Sequence, residues 1–192
     1  MAQYPPHATG RSVTGIPTGK LAVWWVIASE IVIFGGLLCS YIMYRLKYDF
    51  WGDQAAYTNV IAGSINTFVL LTSSLFIVLA HYYAERKDGA KAFMYIWLTI
   101  GGGLTFLVIK SYEWTTEILH GMTITASPFW SFYYTAAGIH GLHVIAGMVI
   151  MGIISFDALR NKNLHRVENI GLYWHFVDIV WIFLFPLLYI AK

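Results

Sequence analysis

Seven ionisable residues stand in stretches that are otherwise almost unbrokenly apolar: Glu30, Lys110, Glu113, His140, His143, His175 and Asp178. Lys110 and Glu113, His140 and His143, and His175 and Asp178 are each three residues apart, which puts both members of a pair on one side of a helix. Several chemistries suit such a set. Lys110 and Glu113 can form a structural ion pair, with Glu117 one turn further on and a share in an ion path as the alternative. Facing imidazoles, His143 with His175, can ligate a haem, although Asp178 on the next turn suits hydrogen bonding as well as ligation. Hydrogen-bonded histidines that join helices, contacts with lipid headgroups, and a proton-exchanging site are the other uses. Glu30 has no opposite charge within "WWVIASEIVIFGGLLCSYIM", so its partner comes from another segment, His140 or His143, or the carboxyl is protonated. Paired Glu-x-x-His elements of a carboxylate di-iron bundle are lacking, as are a phosphate loop, a nucleophile motif and a zinc signature.

The elements that position these residues follow from composition. Of 192 residues 58% are hydrophobic and 11% charged, against about 25% charged in a typical soluble domain. A bilayer span needs about 20 predominantly apolar residues. Five stretches meet that test, 21–44, 57–83, 92–119, 128–155 and 171–190, so the expected fold is all-α, an integral membrane bundle of five transmembrane helices. The connections are too short for an extramembrane domain. Residues 1–20 read as a polar, uncleaved tail before a single domain over 21–192. One cysteine, Cys39, supports neither a disulfide nor a thiolate metal site, and a formal charge of +2 gives no reason to expect nucleic acid as a partner.

Lys and Arg placement orients the bundle. Arg11, Lys20, Arg86, Lys87, Lys91, Arg160, Lys162 and Arg166 share one side, against Arg45, Lys47 and Lys192 on the other, which predicts a cytoplasmic N-terminus and an outside C-terminus. Trp51, Tyr57, Phe129, Trp130 and Tyr189 are expected at the outer boundary as interfacial rings, and Ser127 with Pro128 as the start of the fourth span. Small pairs at four-residue spacing, Gly35 with Cys39, Gly36 with Ser40 and Ala137 with Gly141, are expected at helix contacts. On this register Glu30 lies about 14 Å into its helix at about 1.5 Å per residue.

Four segments carry a further signal: "WWVIASEIVIFGGLL" with its Ser29-Glu30 pair, "KSYEW" around Glu113, "GIHGLHVIAG", and "YWHFVDIVWIFLFPLLYI". In order, and across nearly all five spans, they resemble subunit III of the haem-copper oxidases, the cytochrome c oxidase family. Larger members have seven helices, and this chain is similar to the short bacterial form that lacks the first two. The resemblance implies a multi-pass protein of the bacterial inner membrane with no catalytic or metal-binding residues of its own, haem and copper residing in subunits I and II. It implies direct packing on subunit I, bound phospholipids, support of proton uptake, and protection from inactivation during turnover. Glu30 matches the family's buried carboxylate known for carbodiimide reactivity; His140, His143, His175 and Asp178 match motif positions of the last two helices, and Glu113 the acidic position of the third. Ser29-Glu30 leans toward the cytochrome c branch. The alternatives are subunit III of a quinol oxidase or nitric oxide reductase, and an independent small proton-coupled transporter.

Overall fold

The computed structural model describes residues 17–48 and 51–190. Five helices long and apolar enough to cross a membrane make up most of it: α1 (Thr18–Lys47), α3 (Val60–Glu85), α4 (Gly89–Leu119), α5 (Pro128–Leu159) and α6 (His165–Phe185), the last continued by a π-helical turn at Pro186–Ile190. A short helix, α2 (Trp51–Ala55), precedes α3. No strand forms among the described residues. With every backbone donor and acceptor needing a partner inside lipid, helices satisfy these groups within each segment. Of the 1–20 tail and the charge count, residues 1–16, Arg11 and Lys192 lie outside the described residues.

The helices outrun the apolar stretches because polar contacts stabilise their ends. Lys20 Nζ donates to Glu168 Oε1 at 2.6 Å, tying the first turns of α1 and α6 together. That bond requires α1 to begin before residue 21 and α6 before residue 171. Asp88 caps α4, accepting from the Lys91 backbone N–H, which holds its carboxyl below the usual carboxylate range. Asn59 caps α3 in the same way. Ser127 occupies the cap position of α5 but makes no cap hydrogen bond; Pro128 at the first helical position has no N–H to offer.

Small residues set the closest approaches, though not the ones expected. A Cβ at Gly102 would sit 2.7 Å from Ser73 Cβ, and one at Gly147 2.9 Å from the Trp174 ring, so α4 closes on α3 and α5 on α6. Gly35 and Gly36 would meet nothing within 4 Å among the described residues, and Cys39 and Ser40 are exposed. The small face of α1 is thus unpartnered within the described chain. This helix buries only Ile27, Phe34 and Tyr41, spaced seven residues apart, and leaves Trp24, Trp25, Val32 and Leu46 exposed. Aromatic placement also departs from expectation. Tyr57 is exposed, but Trp51, Phe129, Trp130 and Tyr189 are each 2% exposed or less, packed edge to face at one end of the bundle. Trp130 Nε1 finds Gln54 Oε1 at 2.9 Å and Tyr189 has polar partners, so these rings form a core there.

At Gly89 a Cβ would stand 2.3 Å from the carbonyl oxygen of Ala158, backbone that cannot swing away. Gly89→Ala is therefore expected to lower the unfolding temperature of the detergent-solubilised protein by several degrees, overpacking costing about 1–3 kcal/mol. Gly101→Ala, with nothing within 4 Å, should leave it unchanged; equal melting of all three proteins would contradict the proposed contact.

Candidate functional site

Glu30 reaches across from α1 to α5, its Oε2 lying 3.1 Å from His143 Nε2. Both side chains are less than one-fifth exposed. The other ring nitrogen of His143, Nδ1, lies 2.8 Å from the carbonyl oxygen of Ile139. A carbonyl only accepts, so Nδ1 carries a proton, and a neutral ring then has none on Nε2. Glu30 Oε2 is buried, and although His143 Nε2 is within ion-pair reach, no hydrogen bond to it is closed among the described residues. Phe34 meets the imidazole edge to face at 5.4 Å and Tyr173 covers it at 6.5 Å, which keeps the pair dry on two sides.

His140 does not share this site. Three residues span about 300° of a helix, so the two rings diverge by about 60°, enough to face different neighbours. His140 is fully buried, stacked on Trp181 at 5.1 Å and edge-on to Phe106 at 5.4 Å, with neither ring nitrogen hydrogen-bonded to a described residue. Trp181 in turn donates from Nε1 to Thr67 Oγ1 at 3.0 Å. His175 turns toward α3, where Ser74 Oγ lies 2.6 Å from its Nδ1. His143 and His175 therefore serve different helices, α1 and α3, instead of facing each other as haem ligands would. Asp178 is 3% exposed and neither carboxyl oxygen has a hydrogen-bond partner among the described residues. Among those residues no group of three or more His, Cys, Asp or Glu side chains is arranged to hold a metal ion.

A third cluster is the most completely bonded. Lys110, buried on α4, donates to Glu113 Oε2 at 3.0 Å, to the Tyr133 hydroxyl of α5 at 2.8 Å, and to the Tyr189 hydroxyl of the π-helical turn. Its three protons thus meet three acceptors on three elements. Tyr189 donates to Glu113 Oε2 at 3.0 Å and Tyr133 to Glu117 Oε1 at 2.9 Å. The two tyrosines carry what Lys110, Glu113 and Glu117 need from outside α4, and they lack any helical spacing to these residues that would signal it. Pro186 makes the geometry possible: it has no N–H to continue the ladder, and the widened turn after it brings Leu188 and Tyr189 inward.

Two concave regions accompany these clusters. An apolar groove of about 390 Å3 runs between α1, α5 and α6, lined by Val23, Val26, Ile154 and Ile170, with Arg166 and Asn169 also on its wall. A cavity of about 520 Å3 lies where α3 begins and α4 ends.

Lys110→Met leaves Glu113 without its cation, and breaking a buried pair from one side costs about 3–5 kcal/mol. The single variant is expected to unfold at clearly lower temperature in detergent, and Lys110→Met with Glu113→Leu to recover most of the loss. Additive losses in the double variant would contradict pairing as the source of the stability.

Comparison with known proteins places the whole arrangement. The family model described as "Cytochrome c oxidase subunit III" matches residues 7–192. A "Cytochrome c oxidase subunit 3" of Bacillus sp. (strain PS3) is 32% identical over 190 residues, 96% of this chain and 92% of the relative. A "Probable quinol oxidase subunit 3" of Staphylococcus saprophyticus is 28% identical, covering 88% of this chain and 87% of the relative. A "Heme-copper oxidase subunit I+III" of Aeropyrum pernix is 28% identical over 90% of this chain, which spans 22% of that longer protein. With five membrane-length helices in the same chain, this multi-pass inner-membrane protein belongs to the cytochrome c oxidase subunit III family of the haem-copper oxidases.

Proposed function

We propose that this chain is the non-redox subunit of a proton-pumping cytochrome c oxidase, seated directly on the subunit that holds haem and copper, with a second subunit carrying the remaining copper. The observation that supports this most is the Aeropyrum relative, in whose name subunits I and III are joined and about one-fifth of which aligns with nearly all of this chain. Fusion into one polypeptide favours a permanent neighbour. The sparsely covered α1, with its small face of Gly35 and Gly36 open, offers a surface on which another helix can approach closely. Cytochrome c is the electron donor we favour, from the Ser29-Glu30 pair and the naming of the Bacillus relative. The charge asymmetry puts the N-terminus in the cytoplasm.

In this reading the bundle acts indirectly. Its groove beside α1 seats a phospholipid acyl chain against Val23, Val26 and Ile154, with Arg166 near the headgroup phosphate. Glu30 and His143 meet between α1 and α5, and that contact supports proton uptake by the neighbouring subunit and its endurance through turnover. Lys110, Glu113, His140 and His175 join helices.

Purification through a tag on this chain is expected to bring haem-bearing polypeptides with it. An independent transporter would instead move protons alone in liposomes. Glu30→Ala should leave haem content of the purified complex intact but reduce the number of turnovers completed before activity decays; an unchanged turnover lifetime would overturn the role given to Glu30.

A further inference from the structure

Oxidisable rings run in contact across the outer end of the bundle, beginning on the helix whose outer face is open. Tyr41 of α1 meets Trp51 at 5.3 Å between ring centroids, and Phe129 bridges Trp51 to Trp130 at 5.8 Å and 5.3 Å. From Trp130 the line continues to Tyr133 at 5.2 Å, to Tyr134 at 5.2 Å, and to Trp114 of α4 at 5.4 Å. Tyr41, Trp51, Trp130 and Tyr133 are each 2% exposed or less, whereas Trp114 is half-buried and ends the line on α4.

Packing alone would be satisfied by any aromatic ring. Here every ring in the line except Phe129 is a tyrosine or a tryptophan, the side chains that surrender a single electron most readily. A phenol that loses an electron becomes a strong acid and must shed its proton. Tyr133 has the acceptor for this, donating to Glu117 Oε1 at 2.9 Å, within reach of direct transfer. Its oxygen also accepts from Lys110 Nζ at 2.8 Å, a bond that a neutral phenoxyl retains. Tyr41 donates to the Leu187 carbonyl, which cannot keep a proton. Tyr134 donates to the Met122 carbonyl at 2.7 Å and stands 3.5 Å from Glu117. An electron deficiency moving along the line therefore settles on Tyr133.

We infer that these rings form a one-electron relay between the haem-bearing neighbour proposed above and α4, with Tyr133 as its resting site and Glu117 as the holder of its proton. A neighbour seated on α1 stands one helix diameter, about 10 Å, from Tyr41. The oxidant is a peroxide, the class of product left when dioxygen is incompletely reduced. Reacting at the neighbour's haem, it takes two protons from solvent and two electrons, one at a time, and leaves as two waters. For each electron Tyr133 becomes a neutral phenoxyl radical and its phenolic proton moves to Glu117. A one-electron reductant of the ascorbate class, delivering through Trp114, restores the phenol with that same proton.

The test uses the intact complex, treated with hydrogen peroxide in the absence of reductant. Oxidation products on each tryptophan are counted by mass spectrometry, and tyrosyl radicals are read by electron paramagnetic resonance after freeze-quenching. Products at Trp114 are expected to exceed those at Trp25 fivefold, although Trp25 is 71% exposed. Tyr133→Phe keeps the ring but not the oxidisable phenol, so it should lower the Trp114 yield fivefold and remove one tyrosyl signal; Glu117→Gln should weaken that signal to a similar degree. Yields that follow exposure, Trp25 above Trp114, overturn the inference, as do a Trp114 yield and a radical spectrum unchanged by Tyr133→Phe. The comparison of Trp114 with Trp25 needs no variant and decides alone if Tyr133→Phe fails to assemble. A parallel arm replaces peroxide by illuminated tris(bipyridine)ruthenium with persulfate, which oxidises exposed rings without haem. A Tyr133-dependent signal in that arm but not with peroxide upholds the relay and counts against the haem-bearing neighbour; its absence from both arms overturns the relay.

Discussion

The ammonium of Lys110 sits 4% exposed inside a bundle meant for lipid, and its three hydrogen-bond acceptors determine how one end of that bundle closes. A charge at membrane depth costs about 2.5–3.5 kcal/mol even on insertion scales, so partners must be supplied by protein. One comes from the same helix, three residues on. The others come from α5 and from the π-helical turn after α6, and neither reaches Lys110 unless both elements pack on α4. The break at Pro186, the inward turn of Tyr189 and the aromatic packing of Trp51, Phe129 and Trp130 all belong to this arrangement. At the other end close backbone approach takes over, with Gly89 against Ala158 and Lys20 bonded to Glu168.

Between these ends the chain is unevenly held. The four helices α3 to α6 interlock through Gly102, Gly147 and the tryptophans of α6, whereas α1 attaches through a thin line of three buried residues and one polar contact in its middle. That contact is Glu30 with His143. The Ile139 carbonyl holds Nδ1 of the same ring, which turns Nε2 toward Glu30.

Much of the candidate site was legible along the chain. Ionisable residues inside spans announce themselves because lipid tolerates them poorly, and Glu30, Lys110, Glu113, His140, His143, His175 and Asp178 stood out on that ground. Tyr133 and Tyr189 did not, since a tyrosine near a helix end is equally at home in an interfacial belt. The same ambiguity led Trp51, Phe129 and Trp130 to be expected at the lipid boundary, where they instead form a core. Small-residue spacing was also indecisive: Gly35 and Gly36 fit the pattern, yet a Cβ at either would meet nothing within 4 Å among the described residues, while Gly89 and Gly102 carry the close approaches.

The sequence by itself determined the solvent, the number and order of the spans, and the family, because an apolar run of about 20 residues has few alternatives in a membrane and the motif segments are long. Only the tertiary structure decided who faces whom. His140 and His143 are indistinguishable by type and differ by about 60° around one helix, yet the first lies against Trp181 and the second holds Glu30. That choice depends on the rotation of α5 against α1, α4 and α6, which rests on the fit of Gly147 to Trp174 and of Tyr133 to Lys110. Such rotations are products of packing between segments distant in sequence, and no local periodicity encodes them.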